Sequence, residues 1–453
     1  MKKISAIITA LVTGAALTGC TFGASIDTLM APPKLGAEQE DIYNALTKAE
    51  GTSISLKYPK SGKYLSAFII EDIDGDGGDE ALVFYERNNH AADENPLRMN
   101  ILDKKDGKWC SVRDKATAGS EIEEVIISRL GSNKRINLIV GTSILNRSEK
   151  NVSIYNYSGG KLTEANFSEP YSFIDVKDLD MDNEYEFLRL TKASNGAPAL
   201  AEAYKLDENG MYRRLPKLDE SGELISEPLE LGDNVSDFDV SYGKLPNGRT
   251  GMYLDAVSGT GSIQSAVLYM EGNALAKVFD APAEEGEEAP LRPAGCSSFD
   301  VDGDGSLEIP VQVVAPGYET AAEGEQQKLT EWMKLDENME LKRRYTSYYS
   351  LNDGYIFIFP ERWAGKVTLR LDTVNDEIVF CTSDNTGSGR ELLRIFCAED
   401  APSREDRISG GYMLMHTKGE SSYLALIPAG SRSGSDGLGI TAGELALGFR
   451  YRD

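Results

Sequence analysis

Asp-Val-Asp-Gly-Asp-Gly-Ser-Leu-Glu, residues 300–308, places carboxylates at positions 1, 3, 5 and 9 and runs directly into the apolar residues 309–311 (Ile-Pro-Val). The same pattern of acids followed by an apolar run begins earlier at Asp72 and at Asp178. Acids this closely spaced repel one another unless a cation or solvent relieves the repulsion. Three copies ahead of apolar segments therefore indicate a repeated structural unit. We name residues 72–80, 178–186 and 300–308 boxes 1, 2 and 3.

The boxes have the ligand chemistry of a calcium site. Calcium binds carboxylate and carbonyl oxygens, and a loop that wraps the ion can supply positions 1, 3, 5 and 9. Position 6 needs a left-handed backbone, which Gly77, Asn183 and Gly305 tolerate. The alternative is a solvated acidic turn without metal. The predicted Ca²⁺ ligands are Asp72, Asp74, Asp76 and Glu80 in box 1; Asp178, Asp180, Asp182 and Glu186 in box 2; and Asp300, Asp302, Asp304 and Glu308 in box 3.

The spacing of the boxes predicts further units that have lost the acids. The box starts are 106 and 122 residues apart, each about twice 57. Residues 127–140 align without a gap on residues 70–83 at an offset of 57, and a second degenerate unit is predicted at 237–256. Pairs such as Asp106-Gly107 and Gly159-Gly160 favour tight hairpin turns within the units. Each unit is therefore predicted to be a four-stranded sheet of the size of a propeller blade.

Together the boxes resemble those of FG-GAP/VCBS-type β-propeller repeats, as in integrin-α heads, over about residues 60–345. The resemblance implies a mainly β chain with a propeller of about five to seven four-stranded blades over residues 52–348. In that family the box lies between strands of a blade and binds structural calcium. Box 2 departs from the family pattern, because Asn183 replaces the usual glycine and Glu184 adds a charge.

The repeat pattern stops near residue 349. We predict a smaller α+β domain over residues 349–453, with a terminal helix at 440–450, or alternatively two divergent closing blades. The strand–Pro–x–x–Trp opening and the final helix faintly resemble PsbP-like domains. Cys381 and Cys397 lie in neighbouring apolar runs, so they could form a disulfide in an oxidising compartment or remain buried free thiols.

The N-terminus has the pattern of a secretion signal. Two lysines precede an apolar stretch, residues 4–17, which is followed by Thr-Gly-Cys20. Leu-Thr-Gly-Cys resembles a bacterial lipobox, which implies removal of residues 1–19 and a lipid on Cys20. The alternative is an ordinary signal with a chance cysteine. Residues 20–51 are then a tether with a short amphipathic helix, and the predicted location is extracytoplasmic, anchored to the lipid bilayer of the bacterial cell membrane.

The composition and motifs favour a binding protein over an enzyme. A net charge of −26 disfavours nucleic acid as a partner. The sequence has no H-E-x-x-H, P-loop or G-x-S-x-G motif, and its only histidines are His90 and His416. We expect a module that binds an extracellular glycan or protein. The alternatives are a carbohydrate-active lyase or glycosidase on the same scaffold, which a basic groove would favour, and a purely structural envelope protein.

Overall fold

The computed structural model describes residues 35–91, 94–131, 135–145, 149–207, 210–219, 221–278, 292–293, 295–383, 389–431 and 436–451. The predicted signal segment 1–19, Cys20 and the tether up to residue 34 lie outside the described residues. Within that part, the chain is mainly β, with six sheets and three α-helices. It divides into two compact units: unit 1 has residues up to 57, 67–71 and 79–117, and unit 2 has residues 58–66, 72–78 and those from 118 onward.

Unit 1 packs one helix against one sheet. The helix, α1 (Ala37–Glu50), turns the side chains of Ile42 and Leu46, four residues apart, into a fully buried apolar cluster. The amphipathic helix predicted within the tether is thereby confirmed. Sheet 1 consists of β1 (Ile54–Lys57), β2 (Phe68–Glu71), β3 (Glu80–Arg87), β4 (Leu97–Lys105) and β5 (Lys108–Ala116). Both β1 and β2 pair with β3, which is followed in the sheet by β4 and β5.

Unit 2 contains five sheets, each built from strands that are mostly close in the sequence. Sheet 2 has β6 (Glu121–Leu130), β7 (Arg135–Ser143), β8 (Lys150–Ser158) and β9 (Lys161–Tyr171). Sheet 3 has β10 (Phe173–Lys177), β11 (Glu186–Thr191), β12 (Ala199–Leu206), β13 (Tyr212–Arg214) and β16 (Leu229–Gly232). Sheet 4 has β14 (Lys217–Leu218), β15 (Leu224–Ile225), β17 (Val235–Lys244), β18 (Thr250–Ser258), β19 (Ser262–Glu271), β20 (Ala274–Lys277) and β21 (Arg292–Pro293).

The last two sheets involve the C-terminal part of the chain. Sheet 5 has β22 (Ile309–Val314), β23 (Lys328–Leu335), β24 (Leu341–Ser350), β25 (Tyr355–Ile358) and β31 (Phe449–Tyr451). Sheet 6 has β26 (Val367–Asp372), β27 (Glu377–Thr382), β28 (Glu391–Ala398), β29 (Met413–Lys418) and β30 (Ser421–Leu426). The helices α2 (Ala401–Ser409) and α3 (Ala442–Gly448) lie in the same region.

Each sheet of unit 2 shares a buried apolar cluster with the sheet that follows it in the chain. Between sheets 2 and 3, the ring of Phe167 meets that of Phe187 edge-on, with centroids 5.5 Å apart. Between sheets 5 and 6, Phe357 and Phe380 make a similar contact at 5.6 Å. Consecutive sheets are therefore joined by aromatic and aliphatic packing, which is the main favourable term in holding such layers together.

The residues on either side of each box pair with each other in the same antiparallel register. The register pairs Glu71 with Glu80, and Lys177 with Glu186. An isolated bridge pairs Phe299 with Glu308. In every box, therefore, the residue before position 1 lies opposite position 9. The two repeats that lack the acids, at residues 127–140 and 237–256, also contain paired antiparallel strands, β6 with β7 and β17 with β18.

Two of the predicted hairpin turns are confirmed. Asp106 and Gly107 connect β4 to β5 with φ values of 53° and 75°, and Gly159 and Gly160 connect β8 to β9 with 55° and 72°. Consecutive positive φ angles match the right-handed twist of the paired strands. An aspartate followed by glycine, or two glycines, is the sequence that such a turn requires.

The predicted start of a separate domain at residue 349 does not match the strand pairing. Residue 349 lies inside β24, which forms a hairpin with β25. The C-terminal strand β31 then extends the same sheet, with Tyr355 opposite Tyr451. Residues beyond 349 thus complete sheet 5 and form sheet 6. The predicted terminal helix is confirmed as α3.

Of the two alternatives for Cys381 and Cys397, the structure has free thiols and no disulfide. Cys381 lies opposite Glu391 of the neighbouring strand. Cys397 is farther along that strand by six residues. A rise of about 3.3 Å per residue separates the two positions by about 20 Å, far beyond the reach of a disulfide. Burial raises the pKa of Cys397 to about 11.

One carboxylate holds the start of α3. Glu444 accepts hydrogen bonds from the Arg362 guanidinium at 2.6 and 3.0 Å and from the backbone N–H of Thr441 at 3.0 Å. The Arg362 hydrogen bonds lower the pKa of Glu444 to about 2. Because this pKa is lower in the folded chain than in the unfolded chain, the stabilisation is present above the unfolded pKa and disappears as the pH falls towards about 2.

We predict that acidification from about pH 6 to about pH 3 lowers the melting temperature of the parent more than that of Glu444→Gln, because glutamine cannot be protonated in this range. Thermal unfolding at both pH values measures the difference. Glu405→Gln, at an exposed position of α2, should respond to pH as the parent does. Equal pH responses in Glu444→Gln and the parent would contradict the prediction.

Candidate metal centres

Box 3 folds around its first carboxylate. Asp300 Oδ1 accepts hydrogen bonds from the backbone N–H groups of Gly303 at 2.7 Å and Asp304 at 3.1 Å, and Oδ2 accepts one from Gly305 at 2.7 Å. Gly305 has φ 88°, the left-handed backbone predicted for position 6. Carboxylate oxygens of Asp300, Asp302 and Asp304 consequently lie within 4.8 Å of one another, a donor set that could hold a metal ion.

Box 2 adopts the same turn although its sixth residue is not glycine. Asn183 has φ 67° and donates its backbone N–H to Asp178 Oδ2 at 3.0 Å. Asparagine is among the few residues that adopt this conformation at modest cost. Oxygens of Asp178, Asp180 and Glu186 lie within 4.8 Å of one another. The departure of box 2 from the family pattern therefore does not change its loop.

The residues of box 1 belong to different units. Its loop lies in unit 2, where Asp72 Oδ2 accepts the Gly77 N–H at 3.2 Å and Asp74 Oδ1 accepts the Asp76 N–H at 3.1 Å. Gly77 has φ 91°, as predicted for position 6. Glu80 begins β3 in unit 1, where its side chain is buried. The turn of box 1 thus repeats the pattern of hydrogen bonds seen in the other two.

Position 9 is fully buried in boxes 2 and 3. Glu186 Oε2 accepts the Leu179 N–H at 3.0 Å, and Glu308 Oε2 accepts the Val301 N–H at 2.9 Å. Among the described residues, the other carboxylate oxygen of each glutamate accepts no hydrogen bond of acceptable geometry. Burial raises the pKa of Glu186 to about 7 and also raises that of Glu308. A charge buried in this way is stable only beside a cation.

A lysine supplies that cation in both boxes. Lys205 Nζ lies 3.0 Å from Glu186 Oε1 and 2.9 Å from Asp182 Oδ2. Lys334 Nζ lies 3.0 Å from Glu308 Oε1. Burial by itself lowers the pKa of Lys205, but the hydrogen bond to Asp182 and the ionic contact with Glu186 raise it overall, so the ammonium group stays charged. These lysines complete the two boxes, and the spacing of the acids did not predict them.

The sequence does carry a signal for the two lysines. Each begins the segment Lys-Leu-Asp-Glu-Asn, at residues 205–209 and 334–338, and Asn209 lies outside the described residues. When the strand pairing is extended by one residue, Lys205 lies opposite Glu186 and Lys334 lies opposite Glu308. In sheet 1 the equivalent position, opposite Glu80, holds Asp103. The strand pair of unit 1 therefore does not share this lysine.

The donor sets of boxes 2 and 3 fit a hard divalent cation. They offer several carboxylate oxygens on a loop whose backbone is already turned, which is the ligand type that Ca²⁺ prefers. The ammonium group contacts the same oxygens, so it would have to leave before a metal ion could bind. The side chains of Lys205 and Lys334 are 17% and 20% exposed, which leaves each ammonium group a route to solvent.

We predict that Lys334→Met melts at a lower temperature than the parent in chelator and gains more from added calcium. The reason is that the variant loses the resident cation and also the competitor for the metal. Thermal unfolding of both proteins, with chelator and with calcium, measures the two shifts. Lys342→Met, at an exposed lysine of β24, serves as the control. An identical calcium shift in Lys334→Met and the parent would show that the two cations do not compete.

Comparisons with known proteins do not place the chain in a family. No protein-family model matches it, and no curated protein is significantly similar. Several solved structures are distantly similar, and three of them are as follows. A Bacteroides uniformis protein provisionally named a 6-phosphogluconolactonase is 12% identical, with a TM-score of 0.30, over 70% of this chain and 82% of its own. The GH43 β-1,3-galactosidase solved with galactodeoxynojirimycin is 9% identical, with a TM-score of 0.23, over 64% of this chain and 96% of its own. A Xanthomonas citri GH43_1 enzyme is 10% identical, with a TM-score of 0.23, over 70% of this chain and 95% of its own. TM-scores this low establish neither a fold nor an activity.

Proposed function

We propose that this chain is a lipid-anchored extracytoplasmic bacterial protein whose sheets form a calcium-braced β-propeller and act as a module that binds an extracellular ligand. The supporting observation is the construction of boxes 2 and 3. Each has a preformed acidic turn and a fully buried glutamate at the head of a strand. Sheets 3, 4 and 5 share apolar cores in succession, and sheets 3 and 5 carry the same loop, as repeated blades of a propeller would.

The calcium would act on the structure and not on a reaction. Boxes 2 and 3 each connect two segments that pair with each other, so an ion that binds the carboxylates also fixes these segments relative to each other. An ion bound there stabilises the folded chain by mass action, because the unfolded chain does not assemble the ligands.

The membrane location is proposed from the sequence before the described residues. In the part of the chain that the structure describes, none of the helices is both long and apolar enough to cross a membrane. The lipobox-like segment that ends at Cys20 supplies the anchor in this proposal. One acyl group alone binds a bilayer only weakly, so stable anchoring requires the multiple chains of a lipoprotein modification.

We predict that calcium raises the melting temperature of the full chain and that the double variant Asp180→Asn/Asp302→Asn responds less. Saturation at about one hundred times the dissociation constant stabilises a protein by about 2.7 kcal/mol per site. Asparagine keeps the hydrogen-bonding shape but removes the charge that attracts the ion. Glu340→Gln, at an exposed carboxylate in the turn before β24, controls for the loss of charge alone. If the double variant and the parent respond equally to calcium, these boxes do not bind it.

We also predict that Cys20→Ser prevents membrane attachment in a bacterial host, because serine offers no thiol for lipid transfer. Membrane fractionation and the mass of the mature N-terminal peptide are the measurements. Cys110→Ser should remain attached and lipidated. Recovery of the unmodified parent in the soluble fraction would count against the lipoprotein assignment.

A further inference from the structure

A basic cavity of about 330 Å³ lies beside boxes 2 and 3 in unit 2. Its walls come mainly from the hairpin of β17 and β18, and they include Lys177, Tyr242, Lys244, Arg249 and Thr250. Met181 of box 2 and Gly305 of box 3 complete the lining. The cavity therefore lies at the meeting point of the two boxes and the hairpin of sheet 4.

Hydrogen bonds hold the hairpin against both boxes. The N–H of Thr250 donates to the carbonyl oxygen of Leu179 in box 2 at 3.1 Å. The N–H of Lys244 donates to the carbonyl oxygen of Gly305 in box 3 at 2.8 Å. Since the hairpin and both loops are fixed by backbone contacts, the cavity is preformed, which lowers the cost of ordering a site on binding.

The three cations of this cavity differ in their carboxylate partners. Arg249 is paired with Glu271 at 2.7 Å and is therefore neutralised. Lys177 and Lys244 form no ion pair with any residue that the structure describes; Lys177 lies over the Tyr242 ring, 4.7 Å from its centroid. The described residues that line the cavity include these three cations and no carboxylate, so an anionic group that enters the cavity meets positively charged side chains.

We propose that this cavity binds the carboxylate of a uronic-acid-containing saccharide. The inference deepens the proposed binding function and rests on it. Each ammonium group offers three hydrogen-bond donors to a carboxylate, and Thr250 offers a hydroxyl for the sugar. Met181, which is 62% exposed, provides apolar surface for the face of a pyranose ring.

The size and lining of the cavity favour a saccharide over a folded partner. About 330 Å³ is at the lower end of small-molecule sites, enough for one or two sugar rings. A stable protein interface buries about 800 Å² on each side, which requires a broad surface rather than a cavity of this kind. Gly248 and Gly305 line the cavity without side chains and face open space, so a ring can approach the backbone closely there.

The test measures binding of a galacturonic acid trimer to the full chain in detergent, by calorimetry in the presence of chelator. We expect the trimer to bind and Lys177→Gln/Lys244→Gln to weaken the affinity about tenfold or more, because two charge-assisted hydrogen bonds are lost. Lys161→Gln/Lys328→Gln removes the same charge from exposed positions outside the cavity and should bind as the parent does. A neutral galactose trimer should bind far more weakly.

Equal affinity in the Lys177→Gln/Lys244→Gln variant and the parent would overturn the proposal, as would the absence of trimer binding. Binding of a triglutamate peptide in place of the saccharide would also overturn it and would indicate an acidic protein partner. The calcium melting experiment on the same preparation is independent of these outcomes. Failure of the saccharide site is thus distinguishable from failure of the proposed metal role.

Discussion

A glutamate that is fully buried at the head of a strand keeps its negative charge only if a cation lies beside it. Removing an ion from water costs several kcal/mol even after the protein relaxes, so Glu186 and Glu308 could not stay charged in isolation. One backbone N–H meets only one oxygen of each carboxylate. The other oxygen of each carboxylate needs a positively charged partner, which is Lys205 for Glu186 and Lys334 for Glu308. The loop, the strand register and the lysine of the next strand all follow from this one constraint.

The same constraint links the boxes to the packing of the sheets. Position 9 lies at the start of a strand whose following residues, such as Phe187 and Ile309, belong to apolar clusters between neighbouring sheets. A box that lost its countercharge would therefore disturb the first residues of a core strand and not only a surface loop. This explains why an acidic turn that looks solvated in the sequence is coupled to the stability of the layers on both sides.

The parts of the fold that could be predicted depend on local backbone geometry. Positive φ at position 6 of each box and at the two-residue turns follows from a few residue types, and α1 follows from the spacing of Ile42 and Leu46. Lys205 and Lys334 were missed because turn chemistry concerns the residues in the turn, whereas these side chains act across strands. The pairing of Tyr355 with Tyr451 joins distant parts of the chain, and no local pattern reports it. The boundary at residue 349 failed for that reason.

A resident lysine also determines what a metal ion can contribute. With the ammonium group in place, boxes 2 and 3 are already neutralised in part, so some of the repulsion among their carboxylates is relieved before any metal ion binds. The ion must displace Lys205 or Lys334, and the free energy of breaking that ion pair is subtracted from its affinity. Sheet 1 has Asp103 at the equivalent position opposite Glu80, so a lysine at this strand position is a feature of sheets 3 and 5. Metal binding in boxes 2 and 3 would then add to a stability to which the two ion pairs already contribute.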